Sequence, residues 1–451
     1  MTSAQEAGMI VDHRNVGAAF RRLSLPIAYA MLGDQVLGVV DTIVIGAIST
    51  IALAGATGAI AVFVAILFAL IGFGSGVSIM GAQRVGAGDL DGFGKIVRAG
   101  FVAPLAVATV CAGASLVFAE PVLHLMMGHL SSVHVSAQYL ILRCMSLIPI
   151  MISVVLASGF GAAGNRRVQL QLLLVINIVH VPLVFVLAMG WLTHHPLGVV
   201  GAGISSLISE TCGAIFMVAY AIHHSQYRIF SSLRIDPKLA LQTARLSLPE
   251  VVFLLAVLAP DMFIVGMLAP LGALTLAGFR ALNIVSDFTF VVPIPLQEVT
   301  QTVIGQRLGA KDPAGAQTFF VDARRFSIRF TIVAAIVVAA LAWPLSYLFT
   351  LNIAVASLAA VPLALHMITL PIKGYAMVSM APLRAAGDTR FSMFAGLLSS
   401  LFVLPITWVG IAFLHIGLYA IPIAWVLAWS ARALATHLRL RRGDWTSRLM
   451  T

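Results

Sequence analysis

Seven of the chain's 17 carboxylates stand inside long apolar runs: Asp34, Asp41, Glu210, Glu250, Asp261, Asp287 and Glu298. One ammonium, Lys373, does the same. A charge at mid-bilayer costs about 2.5–3.5 kcal/mol on insertion scales, so such groups usually face a cavity or a partner and mark a path for ions or substrates. A carboxylate in a dry pocket gains from being neutral. It can therefore take a proton on one side of a membrane and release it on the other. Asp34 and Asp41 are seven residues apart, and Asp287 and Glu298 eleven, so each pair projects from nearly one face of a helix. A buried Lys needs a partner or loses its proton, and Asp261 or Asp287 is the expected partner of Lys373. Paired in this way, Lys373 is a built-in counter-cation that leaves those acids less available to Na⁺ or to a cationic ligand.

The elements that hold these groups follow from composition. Of 451 residues, 60% are hydrophobic and only 10% charged, with a mean hydropathy of +1.02. So few charges cannot cover a soluble surface, which excludes an ordinary cytosolic enzyme, a disordered chain and a disulfide scaffold. Twelve segments have the roughly 20 apolar residues that a spanning helix needs. They lie at about 23–45, 56–82, 99–120, 133–158, 168–192, 198–222, 246–270, 278–303, 330–350, 355–383, 391–413 and 417–437. Of the 27 Lys and Arg residues, 24 fall in the N-terminal tail, the loops after even-numbered spans and the C-terminal end. Basic loops stay on the cytoplasmic side, so both termini are expected in the cytoplasm of a multi-pass protein of the plasma (inner) membrane. The net charge of +10 is read as these loops, not as a nucleic-acid surface. Three cysteines, all in apolar runs, predict no structural disulfide. No Walker A loop, HExxH or GxSxG occurs, and no enzymatic activity is expected.

The chain also repeats itself. RLSLP occurs at Arg22–Pro26 and Arg245–Pro249, Q-R-x-G-A-x-D at Gln83–Asp89 and Gln306–Asp312, and A-A-G-x-x-R at Ala162–Arg167 and Ala385–Arg390. Leu53–Gly55 pairs with Leu276–Gly278 and Pro182 with Pro405. Every pair shares one offset, that from Pro26 to Pro249. The expected fold is an all-α polytopic membrane protein with twelve transmembrane helices in two six-helix lobes. Six is even, so the copies enter the membrane in the same sense and form a parallel pseudo-two-fold repeat. The N-lobe is 1–226, a cytoplasmic linker 227–240, and the C-lobe 241–451. Such a duplicated bundle places a site in or between its lobes near mid-membrane and suits a secondary transporter.

The first span, with Pro26 and then Gly38–Gly46 (GVVDTIVIG), resembles the multidrug and toxic compound extrusion (MATE) transporters. So do Gly81–Asp89, Gly305–Asp312 and Leu383–Arg390. The resemblance implies cation-coupled antiport of small organic, often cationic or amphipathic compounds, by alternating access, with no cofactor beyond the coupling ion. It identifies Asp41 as the N-lobe acidic position. Family members often carry N-x-x-x-D-P in span 5; this chain has Asn177, then Val181 and Pro182, with His180 one residue before the missing acid. Histidine titrates near neutrality, so His180 is either a substitute or a packed neutral ring. The expected coupling set is Asp41, Asp34, Asn177 and His180, with H⁺ preferred over Na⁺. The C-lobe cavity set is Asp261, Asp287, Lys373 and Glu298. Asp261 lies three residues before Ile264, the repeat-equivalent of Asp41. Glu250 follows Pro249 in the expected first turn of span 7, where the helix dipole favours an acid. Pro26 removes a backbone donor and eases bending of span 1. The partners are small organic substrates and membrane lipid, and the protein is expected to be a monomer. A lipid-linked oligosaccharide flippase of related architecture is the alternative. It would favour a cation-lined cavity, whereas the acids here outnumber the bases.

Overall fold

A computed structural model describes residues 16–48, 50–127, 133–191, 196–232, 234–257 and 259–446. All regular structure among them is helical. The first copy runs α1 (Val16–Ile48), α2 (Thr50–Ile71), α3 (Gly74–Gly86), α4 (Leu90–Gly100), α5 (Val102–Met127), α6 (Val133–Ala162), α7 (Arg167–Met189) and α8 (Gly198–His223). The second runs α9 (Pro237–Val257), α10 (Ala259–Leu268), α11 (Ala273–Thr289), α12 (Pro293–Gly309), α13 (Pro313–Ala340), α14 (Ala342–Thr350), α15 (Ile353–His366), α16 (Thr369–Ala385), α17 (Thr389–Ala412) and α18 (Ala420–Arg441). All twelve expected spans fall on these helices. Among the described residues nine stretches are long and apolar enough to cross a membrane, or eleven once two pairs bent by 63° and 40° are each joined. The first expected span is α1, which continues through Pro26 without a break.

The repeat reaches helix ends. Gly86 and Gly309, Ala162 and Ala385, and Met189 and Ala412 all end helices, each pair related by the offset of the sequence repeat. The chemistry of these ends repeats too. Asp89 accepts a hydrogen bond from the Gly92 amide at 2.8 Å, and Asp312 one from Gly315 at 2.8 Å. Each therefore caps the helix that follows, satisfying an amide with no partner inside that helix. Arg84 donates to Asp89 at 2.9 Å and Arg307 to Asp312 at 2.7 Å. The turn between needs a left-handed backbone, met by Gly88 (φ 75°) in one copy and Lys311 (φ 57°) in the other. Glycine takes that conformation without a steric penalty and lysine does not.

Several spans are broken rather than straight. Span 2 breaks between α2 and α3, where the Ser247 hydroxyl donates to the Phe73 carbonyl at 2.9 Å and accepts from the Gly76 amide at 3.0 Å. Span 7 also starts earlier than its apolar run. Its helix begins at Pro237, so Glu250 is inside the helix rather than in its first turn. The dipole explanation of Glu250 is therefore withdrawn.

The described residues form two compact units: 29–251, and 252–446 together with 16–28. The divisions fall inside α1 and α9, at repeat-equivalent positions just after Pro26 and Pro249. The opening of each copy thus packs within the other unit. Phe20 is buried in the second unit, its ring 5.0 Å from Phe326 and 6.0 Å from Phe319. The start of α9 packs on α3 in the first unit, where a Cβ on Gly76 would strike the Thr243 carbonyl and the Ser247 hydroxyl. The core of the first unit centres on Phe63, Leu147 and Met151, and that of the second on Ile264, Leu363 and Ile421.

Candidate functional site: two groups of charges within the helices

In the first unit α1, α6, α7 and α8 each contribute an ionisable side chain to one neighbourhood. Glu210 on α8 has Arg143, Asp34 and His180 as electrostatic neighbours, and Asp34 on α1 has Arg143. The apolar segments leave these groups little else to interact with, and helix packing brings them together: α8 lies against both α6 and α7. The Arg143 guanidinium sits 4.0 Å from the Phe63 ring centroid, where the ring's quadrupole attracts a cation. His180 is 1% exposed, with Nδ1 3.3 Å from the Ser209 hydroxyl. Asn177 donates its amide to the Leu173 carbonyl one turn back, at 2.9 Å. The Asp41 side chain lies outside the described residues. Position 181, the missing acid of span 5, is a half-buried Val, and Glu210 of the next span brings a carboxylate into the same neighbourhood as His180.

The second unit builds a different group. Lys373 on α16 is 2% exposed. Its Nζ donates to the Ser286 hydroxyl at 3.4 Å and lies 4.3 Å from the Phe290 ring and 5.9 Å from Trp429. Asp287 and Asp261 are its electrostatic neighbours. Ser286 is also 3.0 Å from His366 Nε2. Asp261 is hydrogen-bonded by Asn283, and Arg280 bears on both acids. Glu298 is half-buried on α12. Asp261, Asp287 and Lys373 are electrostatic neighbours, with Arg280 and Asn283 beside them. Their spacing before Asp287 (i, i+3, i+7) was visible in the sequence as one helical stripe.

The two groups are not copies. Arg143 and His366 occupy equivalent places, but Asp34, Glu210, Asp261, Asp287 and Lys373 have Val257, Ala433, Gly38, Val64 and Ile150 as their counterparts. The scaffold repeats and the charge inside it does not.

A duplicated, all-helical, multi-pass membrane protein with ionisable groups held inside its helices is the class that these features define. The MatE family model matches the chain twice, over residues 26–186 and 249–409, so the two matches are related by the same offset as the motifs. The chain belongs to the MatE family. It is 25% identical over 295 residues to a probable multidrug resistance protein NorM from Aromatoleum aromaticum, covering 64% of this chain and 63% of that relative's length. It is 24% identical over 386 residues to a probable multidrug resistance protein NorM from Mannheimia succiniciproducens, covering 82% of this chain and 80% of the relative. Its fold matches an outward-facing multidrug resistance MATE family transporter of the MOP superfamily with a TM-score of 0.88 at 17% identity, over 96% of this chain and 98% of that one. It likewise matches a MOP superfamily transporter from Pyrococcus furiosus with a TM-score of 0.86 at 18% identity, over 96% and 97% of the two chains.

Proposed function

We propose that the protein is a secondary active efflux transporter that exchanges H⁺, rather than Na⁺, for small organic cations and amphipathic compounds by alternating access. The observation that carries this reading is the gathering of Asp34, Arg143, Glu210 and His180 from four spans of the first unit. Two carboxylates against one guanidinium leave a negative charge, and a proton on either acid would balance it. Asp41, seven residues after Asp34 on α1, belongs to the same coupling set. His180 and Asn177 complete it on α7. Pro26 gives α1 a point at which to bend. The names of the NorM relatives support drug export as the physiological direction.

The second unit is charge-compensated: Arg280 and Lys373 face Asp261 and Asp287. This supports the view that the C-lobe holds no sodium ion. It also disfavours the flippase reading, because in neither group do cations outnumber acids. The basic loops support a cytoplasmic position for both termini, in a protein that works as a monomer in the inner membrane with no cofactor beyond its coupling ion.

Reconstitution of the purified protein into liposomes with an imposed H⁺ or Na⁺ gradient tests this. A fluorescent organic cation should move against the proton gradient and ignore a sodium gradient. Transport driven by sodium alone, and lost on changing Asp261 or Asp287 to the amide, would refute both the choice of ion and the role of Lys373.

A further inference from the structure

Two pairs of arginines stand at the edge of apolar spans in the second unit. Arg21 and Arg22 directly precede the first span on α1, and Arg325 and Arg329 directly precede the ninth on α13. Both stretches belong to the second unit, and aromatic rings join them. Phe20 of α1 stacks on Phe326 of α13, with centroids 5.0 Å apart and planes at 6°. Phe326 stacks in turn on Phe330, at 6.0 Å and 11°. The ladder runs from the buried Phe20 out to the exposed Phe330. It sets the two helices side by side, with their arginine pairs at about one level.

All four arginines are exposed. Among the described residues Arg21, Arg22 and Arg329 have no carboxylate partner. Arg325 has one, Asp322 at 3.8 Å, but both side chains are exposed, and such a pair holds little. Arg324 is committed elsewhere, its guanidinium over the rings of Phe320 and Tyr375. Beyond the arginines each helix presents an apolar outer face. Arg21 and Leu25 are one turn apart on α1, and Arg329, Val333 and Ile336 recur at i, i+4 and i+7 on α13, all of them exposed. Cations at the boundary with apolar surface beneath them match a phospholipid, which carries its phosphate at the boundary and its chains below. A guanidinium offers that phosphate two parallel N–H donors.

The patch is not part of the duplicated scaffold. Arg21, Arg325 and Arg329 have Ala244, Val102 and Ala106 as their repeat counterparts, and Phe20, Phe326 and Phe330 have Thr243, Ala103 and Val107. Only Arg22 keeps its charge, as Arg245. Basic residues that served orientation alone would not need to gather along one seam of one copy.

We propose that the seam of α1 and α13 is a binding site for an anionic phospholipid, with Arg21, Arg22, Arg325 and Arg329 around its phosphate and Leu25, Phe330 and Val333 along its chains. The inference needs only that the protein spans a membrane, and it is independent of the coupling ion and the substrate.

Native mass spectrometry of the full-length protein in detergent, titrated with phosphatidylglycerol or phosphatidylcholine, tests it. Wild type should bind phosphatidylglycerol about tenfold or more tightly than phosphatidylcholine. Arg325→Gln with Arg329→Gln should weaken phosphatidylglycerol by about tenfold or more, since each cation beside an anionic headgroup contributes roughly fivefold. Arg21→Gln with Arg22→Gln should do the same. Arg325→Lys with Arg329→Lys should retain most of the binding, because it keeps the charge and loses only the fork. Arg234→Gln with Lys238→Gln, two charges removed from the basic linker, should change binding by no more than about twofold. Glycerol phosphate, a headgroup without chains, should not displace the lipid at equal concentration. Equal affinity for the two lipids, or a linker variant that loses as much as the arginine variants, would reduce the patch to general basic charge and overturn the proposal. Unchanged binding in both glutamine pairs would overturn it too. So would equal losses in the glutamine and lysine pairs of α13, the mark of structural arginines, or displacement by glycerol phosphate, the mark of an anion site with no place for chains.

Discussion

Arg143 has two carboxylates, Asp34 and Glu210, to compensate, and the Phe63 ring face lies against it. Removing one member of a buried ionic group leaves the others uncompensated, at a cost of several kcal/mol when the group is fully buried. Arg143→Met should accordingly lower stability by on the order of 2 kcal/mol, the group being half-buried. The double change Arg143→Met with Glu210→Gln should recover most of that loss without recovering transport. Thermal unfolding in detergent reads the first effect and proteoliposome uptake the second; a double variant no more stable than the single one would show that the two side chains do not interact. Glu210→Gln alone should leave a folded protein whose proton-driven uptake falls by about tenfold or more, the usual scale of a lost proton-transfer group. At this scale the sequence was informative about identity and silent about company. Asp34, Glu210, Asp261, Asp287 and Lys373 stand out because a charge in an apolar run is rare. That Glu210 joins His180, or that Asn283 joins Asp261, depends on which helix faces which, and no spacing along the chain encodes that for separate spans.

Helix ends were legible and helix breaks were not. The motif Q-R-x-G-A-x-D encodes its own geometry: Arg, a turn and a capping Asp within seven residues, so Asp89 and Asp312 adopt the same bonds. Asp89→Ala and Asp312→Ala should each cost about 1 kcal/mol, the worth of a helix cap, and by nearly equal amounts in thermal unfolding; a clear inequality would mean that the two turns differ in strength despite equal geometry. The break in span 2 has no such local signal. It is held by Ser247, 171 residues beyond Gly76, and by the close approach of α9 to α3. Gly76→Leu, which must displace the Thr243 carbonyl, should destabilise by about 1–3 kcal/mol as an overpacking change. A variant of wild-type stability would argue against that approach. The exchange of openings between the two units was equally hidden, because it is a property of packing and not of pattern.

For the molecule as a whole, duplication explains what is shared and divergence explains what is used. Two copies of one bundle supply equal helix ends, equal caps and equal division points in α1 and α9, while the ionisable groups are placed independently. The first unit sets two carboxylates, Asp34 and Glu210, beside one guanidinium, and the second sets Asp261 and Asp287 beside Arg280 and Lys373. The orientation proposed from the basic loops is open to a direct test. In a variant lacking Cys111, Cys144 and Cys212, a cysteine at Ser231 should react with an impermeant maleimide only from the cytoplasmic side, and one at His134 only from the outside. The reverse pattern would invert the direction of transport. The account's central claim is that substrate leaves as protons enter through the carboxylates of the first unit, and proton counterflow measures it most directly. Proteoliposomes loaded with a pH-sensitive dye and holding a pH gradient should lose that gradient when substrate is added to wild type, and should keep it in Asp41→Asn and Glu210→Gln. A gradient that collapses equally in all three, or that no substrate disturbs in wild type, would contradict the account.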